Sequence, residues 1–185
     1  MGLIPPAGNH FVIKKAKNKG LGVFALRDFD EGEPIFHVDL TRLKKYSVKQ
    51  ISENPELDAV SDHADYVGHG RYVIDHSPAS YMNHSCEPNT YVKMKTIAVK
   101  DIFARRLIRR GEELIHDYTA TSVDQFAGKG FWKEECKCGS NNCRGILQGD
   151  FFKLPRSLQK KYYPNLPPST KRKHRRRFNE LWGKD

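Results

Sequence analysis

The chain has 185 residues, of which 38% are hydrophobic and 29% are charged, and this fits one globular domain with or without an appendage. No apolar run approaches the roughly 20 residues that a membrane-spanning helix needs. The N-terminal stretch MGLIPPAGNH also lacks a basic segment followed by an apolar core. We therefore expect no membrane span, no membrane partner and no secretory signal.

The formal net charge of +10 is spread unevenly along the chain. Residues 150–185 hold 11 Lys or Arg against 3 Asp or Glu, whereas the preceding 149 residues hold 21 against 19. The sequence therefore predicts a nearly neutral body that carries a basic tail.

Short segments rich in β-branched and aromatic residues predict strands through most of the body. In chain order they are HFVIKKA (10–16), GVFALRD (22–28), RYVIDH (71–76) and TYVKMKTIAV (90–99). The stretch from Ser47 to His63 is the best candidate for a helical insertion. Because strands and glycine turns are many and helical periods few, we predict a mainly β domain.

Two segments of the chain echo each other. ALRDFDEGEPIFH (25–37) and ARRLIRRGEELIH (104–116) share Ala, Arg, an apolar residue, Gly-Glu, two apolar residues and His at matching offsets. Each is predicted to be a strand, a tight turn at Gly32 or Gly111, and a second strand. Two copies are too few for a solenoid, so we interpret them as one short β-corner used twice.

The four cysteines indicate a metal site. Disulfides are not expected without a secretion signal, and CKCGSNNC offers three thiolates in the pattern C-x-C-x4-C. A tetrahedral structural zinc ion needs a fourth ligand. We predict the set Cys86, Cys136, Cys138 and Cys143. The alternative is a metal held by the triplet with a histidine or water, which leaves Cys86 as an ordinary buried thiol.

Four motifs then occur in a defined order: NKGLGVFA (18–25), YMNHSCEPN (81–89), GEELIHDY (111–118) and CKCGSNNCRG (136–145). With them the chain resembles the SET-domain protein lysine methyltransferases that carry a zinc-binding post-SET loop. The resemblance implies several small twisted β-sheets, few short helices and a knot-like threading of the third motif. It also implies a SET domain over 8–122 with an insertion around 44–64, a post-SET zinc loop over 123–149, and the basic tail over 150–185.

The resemblance further implies S-adenosylmethionine as methyl donor, a lysine side chain as acceptor and Tyr118 as the catalytic residue. Tyr66, His116 and Tyr118 would line the substrate channel, although Tyr72 competes with Tyr66 for that alignment. The implied cofactor-binding residues are Lys19, Gly20, Leu21, Gly22, Tyr81, Asn83, His84 and Ile146.

Two positions depart from the family pattern. Ser80 stands where an arginine is usual, so one cofactor contact is either missing or supplied by another residue. His116 stands two residues before Tyr118, where Phe or Tyr is usual and influences how many methyl groups are added. A histidine there either holds a water molecule or titrates near neutral pH, and the sequence does not settle the degree of methylation.

The basic tail has three interpretations. KRKHRRR (171–177) fits a nucleic-acid contact, a nuclear-import signal or a solvated, disordered end. Prolines at 155, 164, 167 and 168 exclude a long helix but allow short ones in SLQKKYY (157–163) and KRKHRRRFNELW (171–182).

We therefore expect a protein-lysine N-methyltransferase that acts on a histone or another basic, DNA-associated protein. It would act inside the cell, at chromatin in a eukaryote and in the cytoplasm otherwise. One alternative is a catalytically weak SET-like module, stabilised by zinc, that binds peptide or nucleic acid. Another is an enzyme with a non-histone acceptor.

Overall fold

The computed structural model describes residues 10–17, 19–122 and 132–182. Ten strands lie in these segments, and all pairings between them are antiparallel. They are β1 Phe11–Lys15, β2 Leu21–Ala25, β3 Pro34–Asp39, β4 Ala64–Gly68, β5 Arg71–Ile74, β6 Thr90–Met94, β7 Val99–Ala104, β8 Glu113–Leu114, β9 Lys133–Glu135 and β10 Ile146–Gln148.

The strands form four small sheets. Two sheets have three strands, in the orders β1-β2-β8 and β3-β7-β6, and two are the hairpins β4-β5 and β9-β10. The expected mainly β architecture with short strands is thus present. One strand prediction is wrong: TYVKMKTIAV divides into β6 and β7, because the Thr96 hydroxyl accepts from the backbone amides of Ala98 and Val99 and closes a turn there.

The described segments contain five short α-helices: α1 Val48–Ser52, α2 Pro55–Asp58, α3 Arg156–Tyr162, α4 Pro168–Lys173 and α5 Arg175–Trp182. The predicted helical insertion contains α1 and α2. A capping box between Ser47 and Gln50 begins α1, and the Asn54 side chain caps α2 at Pro55. None of the helices in the described segments is long and apolar enough to cross a membrane.

The two echoing segments lie against each other. The Gly32 amide donates to the Ala104 carbonyl at 2.9 Å, and the Gly111 amide donates to the Ala25 carbonyl at 2.8 Å. Both glycines have positive φ, 79° and 91°, where a side chain would be strained. The repeated β-corner therefore forms a pair with near-twofold symmetry, and this pair positions β8 and the GEELIHDY segment that follows it.

The main hydrophobic core lies between the two three-stranded sheets and the loops that join them. Its most deeply buried members are Val23, Ala25, Phe29, Val38, Leu40, Val73, Met82, Ile102, Ala104, Ile108 and Leu114.

A second core lies in residues 150–182, which we call the C-terminal module. Its buried members are Phe151, Leu154, Tyr162, Leu166 and Phe178, and Phe152, Leu158, Tyr163, Leu181 and Trp182 pack around them. The disordered-end interpretation of the basic tail is therefore wrong for 171–182, because α4 and α5 fold onto this aromatic cluster.

Candidate functional site

Asn83 joins the first motif to the third. Its side-chain amide donates to the Leu21 carbonyl at 3.0 Å and to Glu113 Oε1 at 2.6 Å. Gly22 lies directly beneath this contact, since a Cβ there would meet Glu113 Oε1 at 2.5 Å and Asn83 Nδ2 at 2.9 Å. Only glycine fits this close approach, so the glycine motif, Asn83 and Glu113 form one packed unit.

The second and third motifs lie side by side as a short parallel bridge. The His116 amide donates to the Asn83 carbonyl at 3.1 Å, and the Ser85 amide donates to the His116 carbonyl at 2.9 Å. This pairing brings the Tyr118 backbone amide within 3.2 Å of His84 Nδ1, to which it donates.

Tyr118 presents a protonated hydroxyl inside the protein. Its hydroxyl donates to the Met82 carbonyl at 3.1 Å. Burial, with a smaller contribution from the negative charge of Glu134, raises the pKa of Tyr118 to about 12. The phenol therefore remains a neutral donor throughout the neutral range.

Two pockets meet at Tyr118. The first, which we call the Gly20 pocket, has a volume of about 460 Å³, and its lining includes Gly20, Leu21, Tyr81, Asn83 and Glu134. The second, which we call the Lys100 pocket, has a volume of about 220 Å³, and its lining includes Ala79, Met82, Val92, Ile102, His116 and Trp132. Asp62, His63, Ser80 and Tyr118 line both pockets.

The Lys100 pocket also has charged walls. The Lys100 ammonium is half-buried and forms an ion pair with Asp65. Burial raises the pKa of the nearby Asp75 carboxyl, which accepts hydrogen bonds from Ser77. Asp62 lies at the part of the lining that the two pockets share. The pocket therefore combines an apolar and aromatic surface with an excess of carboxylates, which suits an incoming cation.

His116 lines the Lys100 pocket as a neutral imidazole. Burial, followed by the positive charge of Lys100, lowers the pKa of His116 to about 4. Its Nδ1 atom is buried and has no hydrogen-bond partner among the described residues. The lowered pKa disfavours titration near neutral pH, and a water molecule held by this ring stays a prediction.

Three further predicted residues lie in different surroundings. The Lys19 ammonium donates to the His84 carbonyl at 3.4 Å, beside the Gly20 pocket. Tyr66 packs on Tyr72, and its hydroxyl accepts from the Gly70 amide. It is not a lining residue of either pocket. Ile146 lies on β10 and is 51% exposed.

Ser80 lines both pockets, and its hydroxyl donates to the Ser77 carbonyl at 2.9 Å. The arginine that the family usually has here is replaced by a small side chain bonded to its own turn.

Three of the four cysteines come together. The Cys86, Cys136 and Cys138 sulfur atoms and one nitrogen of His84 all lie within 4.8 Å of one another. Cys143 lies in the same loop, where its sulfur is 3.7 Å from the Cys136 carbonyl oxygen and accepts from the Gly145 amide at 3.5 Å. The segment 132–148, which we call the cysteine loop, is thus joined to the second motif at Cys86, and soft thiolate donors suit zinc.

Four residues of the site were not assigned a role from the sequence: Glu113, Asp117, Arg144 and Tyr162. Glu113 and Asp117 belong to GEELIHDY, one of the four motifs identified in the sequence, so their place in that motif could have indicated a role. Arg144 and Tyr162 bond to Asp117 across 27 and 45 residues, and no local pattern marks such contacts.

Comparisons with known proteins give one consistent result. The family model described as the SET domain matches residues 20–119. The Saccharomyces cerevisiae protein named "Histone-lysine N-methyltransferase, H3 lysine-36 specific" is 31% identical over 152 residues, which cover 74% of this chain and 19% of the relative. A protein of the same name from Eremothecium gossypii is 33% identical over 151 residues, covering 73% of this chain and 20% of the relative.

A third relative is the Drosophila melanogaster "Histone-lysine N-methyltransferase trr", which is 32% identical over 156 residues. That match covers 74% of this chain and 6% of the relative. The chain thus spans about a fifth or less of the length of these three relatives.

Proposed function

The chain belongs to the SET-domain family, and on that premise we propose that it is an S-adenosylmethionine-dependent protein-lysine N-methyltransferase whose acceptor is a histone. The observation that carries the proposal is the Tyr118 hydroxyl at the junction of two pockets, held by the Met82 carbonyl at 3.1 Å. One pocket is walled by a glycine motif and the other is narrow, aromatic and carboxylate-lined. This is the arrangement that a transfer between two separately bound reactants needs.

We assign the Gly20 pocket to the methyl donor. Among the described residues, no atom lies within 4 Å of a Cβ placed at Gly20, so the backbone of Gly20 and Leu21, which lines this pocket, leaves room for a ligand to approach closely. Gly22 packs on Asn83 and Glu113 behind it. In this assignment Tyr81 and Asn83 contact the donor directly and Lys19 lies at its edge. S-adenosylmethionine, when bound, supplies a methyl group on a positively charged sulfur. His84 and Ile146 remain predicted contacts to its adenine.

We assign the Lys100 pocket to the acceptor lysine. The exposed Asp62 carboxylate, on the lining that the two pockets share, attracts the ammonium group. The apolar and aromatic lining disfavours the charged form inside. The acceptor must lose a proton to solvent before it can attack, since its free pKa is about 10.4.

Tyr118 and the Met82 carbonyl then orient the amine and the electron-poor methyl group. A new N–C bond forms as the S–C bond breaks, and the sulfur keeps the electron pair. The product is a methylated ammonium, so atoms and charge balance without a further reactant.

We propose that the cysteine loop binds one structural zinc ion through Cys86, Cys136, Cys138 and Cys143. His84 is the competing fourth ligand, but its Nδ1 already accepts from the Tyr118 amide at 3.2 Å. A neutral imidazole that accepts at Nδ1 carries its proton on Nε2. Nε2, which lies 3.4 Å from the Cys86 sulfur, is then a donor to that sulfur rather than a metal ligand, and this favours Cys143.

Histone H3 is the first acceptor to test, because two of the relatives described above are named for lysine 36 of that histone. An enzyme with this acceptor would act at chromatin. The C-terminal module supports such a location, since Arg172, Lys173, Arg175, Arg176 and Arg177 are all exposed, and we propose that they contact nucleic acid phosphates.

The test is transfer of a labelled methyl group from S-adenosylmethionine to a panel of core histones, whole nucleosomes and unrelated basic proteins. We expect label on lysine, located by mass spectrometry, with a histone as the preferred acceptor. Label confined to the unrelated proteins would indicate the non-histone acceptor instead. Absence of label together with absence of S-adenosylmethionine binding would contradict the enzyme and favour a SET-like binding module.

A further inference from the structure

Asp117, the residue before Tyr118, is a buried carboxylate with no direct part in the proposed transfer. Its side chain is 1% exposed. It accepts from Arg144 Nη2 at 2.7 Å, from the Tyr162 hydroxyl at 2.6 Å and from the Thr119 hydroxyl at 2.7 Å. The Thr119 amide also donates to it at 3.0 Å. Oδ1 takes three of these bonds and Oδ2 takes the bond from the Tyr162 hydroxyl, so both oxygens of this carboxylate are engaged inside the protein.

The two long-range donors come from different parts of the chain. Arg144 directly follows Cys143 in the cysteine loop, and its amide lies 3.4 Å from the Cys86 sulfur. Tyr162 is the last residue of α3 in the C-terminal module. Asp117 is thus the point at which the cysteine loop, the C-terminal module and the backbone of Tyr118 meet.

The C-terminal module holds the Tyr162 hydroxyl in place. The Tyr162 ring is 2% exposed and belongs to the same cluster as Phe151 and Phe178. Gln159, three residues earlier on α3, donates through Nε2 to the carbonyls of Leu154 and Phe152. A hydroxyl on such a packed ring has little freedom, so its bond fixes the orientation of the Asp117 carboxylate.

We propose that Tyr162 is a positioning residue through which the C-terminal module orients Asp117 and thereby sets both Tyr118 and Arg144. The module then helps to set the geometry of the active centre and also carries a basic surface. This inference rests on the proposed function for its kinetic consequence, whereas its structural consequence does not depend on any activity.

The experiment compares Tyr162→Phe with the matched control Tyr163→Phe in the full chain. Each variant removes one hydroxyl from the same aromatic cluster, but the Tyr163 ring lies against Phe178 and Trp182 rather than at Asp117. Hydrogen–deuterium exchange reports the structural consequence. We expect faster exchange at the Tyr118 amide and in residues 132–148 in Tyr162→Phe alone, with the β3-β7-β6 sheet unchanged in both variants.

Steady-state kinetics report the catalytic consequence. We expect the kcat of Tyr162→Phe to fall by about tenfold or more. Losing a residue that orients a functional group through a hydrogen bond lowers activity by this order. The KM for the acceptor and the Kd for S-adenosylmethionine should stay within about twofold of wild type, and Tyr163→Phe should behave as wild type.

The two readouts separate two kinds of failure. Unchanged exchange at Tyr118 in Tyr162→Phe, or equal changes in both variants, would overturn the positioning role. If the wild-type chain transfers no methyl group, yet exchange rises selectively in Tyr162→Phe, the proposed function is overturned and the positioning role stands.

Discussion

His116 lines the proposed acceptor pocket with a neutral imidazole, because its low pKa keeps the ring uncharged. A water molecule held in the pocket by this ring would occupy volume that a methyl group on the acceptor amine would otherwise need. His116 is therefore expected to limit the number of methyl groups transferred.

Replacing His116 with Phe should raise the degree of methylation. The ring volume is nearly kept, but the anchor for a water molecule is lost, so the pocket can accept a bulkier amine. We expect the dominant product on one peptide lysine, measured by mass spectrometry over a time course, to shift upward by at least one methyl group. His116→Tyr, which restores a polar group, is the matched control and should keep the wild-type product. An identical product distribution in all three proteins would contradict this role.

At the scale of single residues, the sequence predicted what depends on local motifs. Asn83, Gly22 and Tyr118 were identified in their motifs. In the fold Asn83 and Tyr118 line the Gly20 pocket, and Gly22 packs on Asn83. The partners of Asp117 were not predictable, because Arg144 and Tyr162 reach it through the tertiary packing of separate segments. The surroundings of Tyr66 also depend on that packing, since its orientation follows from the β4-β5 hairpin and from Tyr72.

Among the elements, the β-corners were the most predictable. A Gly-Glu step stands at the same offset in both segments, and the two glycines have positive φ, so the turns were visible in the chain. The division between β6 and β7 was missed because a Thr-centred turn has no glycine or proline to mark it. The helical insertion was located correctly, and Pro55 divides it into two helices because the residue before proline avoids the helical conformation.

The cysteine loop gives a prediction at this scale. If zinc is held by four thiolates, Cys143→Ser should lose its metal, whereas zinc bound through His84 would be kept. We expect wild type to contain about one zinc per chain and Cys143→Ser to contain far less, measured by atomic emission. Metal binding and loop folding are coupled, so exchange in 132–148 should rise in the same variant.

The control for this loop is Lys137→Ala, which changes an exposed side chain paired with Glu135 at 3.5 Å. It should retain both the zinc and the protection of the loop. Full zinc content in Cys143→Ser would assign the fourth ligand to His84 and contradict the four-cysteine site.

Over the whole molecule, the charge asymmetry was visible in the sequence but the folded C-terminal module was not. Its short helices lie close to where they were expected: prolines separate α3 from α4, and the helix expected over 171–182 is divided at His174, where α4 ends. The apolar residues that form its core are spread over 28 positions, from Phe151 to Phe178, with many Lys and Arg residues between them. A tail for which the sequence left three interpretations open thus combines an aromatic core with a set of exposed arginines.

The basic face of the module should bind duplex DNA in a salt-dependent way. Each neutralised phosphate contributes about −0.9 to the slope of log K against log salt. The double variant Arg172→Gln/Arg175→Gln should therefore bind more weakly, with a slope reduced by about 1.8. Fluorescence anisotropy from 50 to 300 mM salt measures both quantities. Lys49→Gln, an exposed change on α1, should match wild type.

If binding does not change with salt, or if Lys49→Gln weakens it as much as the double variant does, the module is not the DNA-binding surface. If these arginines instead bind an acidic protein, the chain should retain that protein and have no affinity for DNA.

The most direct test of the proposed methyl transfer is the single-turnover rate onto histone H3 for wild type and Tyr118→Phe, with the Kd for S-adenosylmethionine measured on the same samples. Loss of one orienting hydroxyl at the reacting atoms should lower the rate by about 10²-fold or more, while the Kd changes little. Tyr46→Phe, which removes a hydroxyl outside both pockets, should keep the wild-type rate. A Tyr118→Phe rate equal to that of wild type would contradict the assignment of Tyr118 and of the two pockets that meet at it.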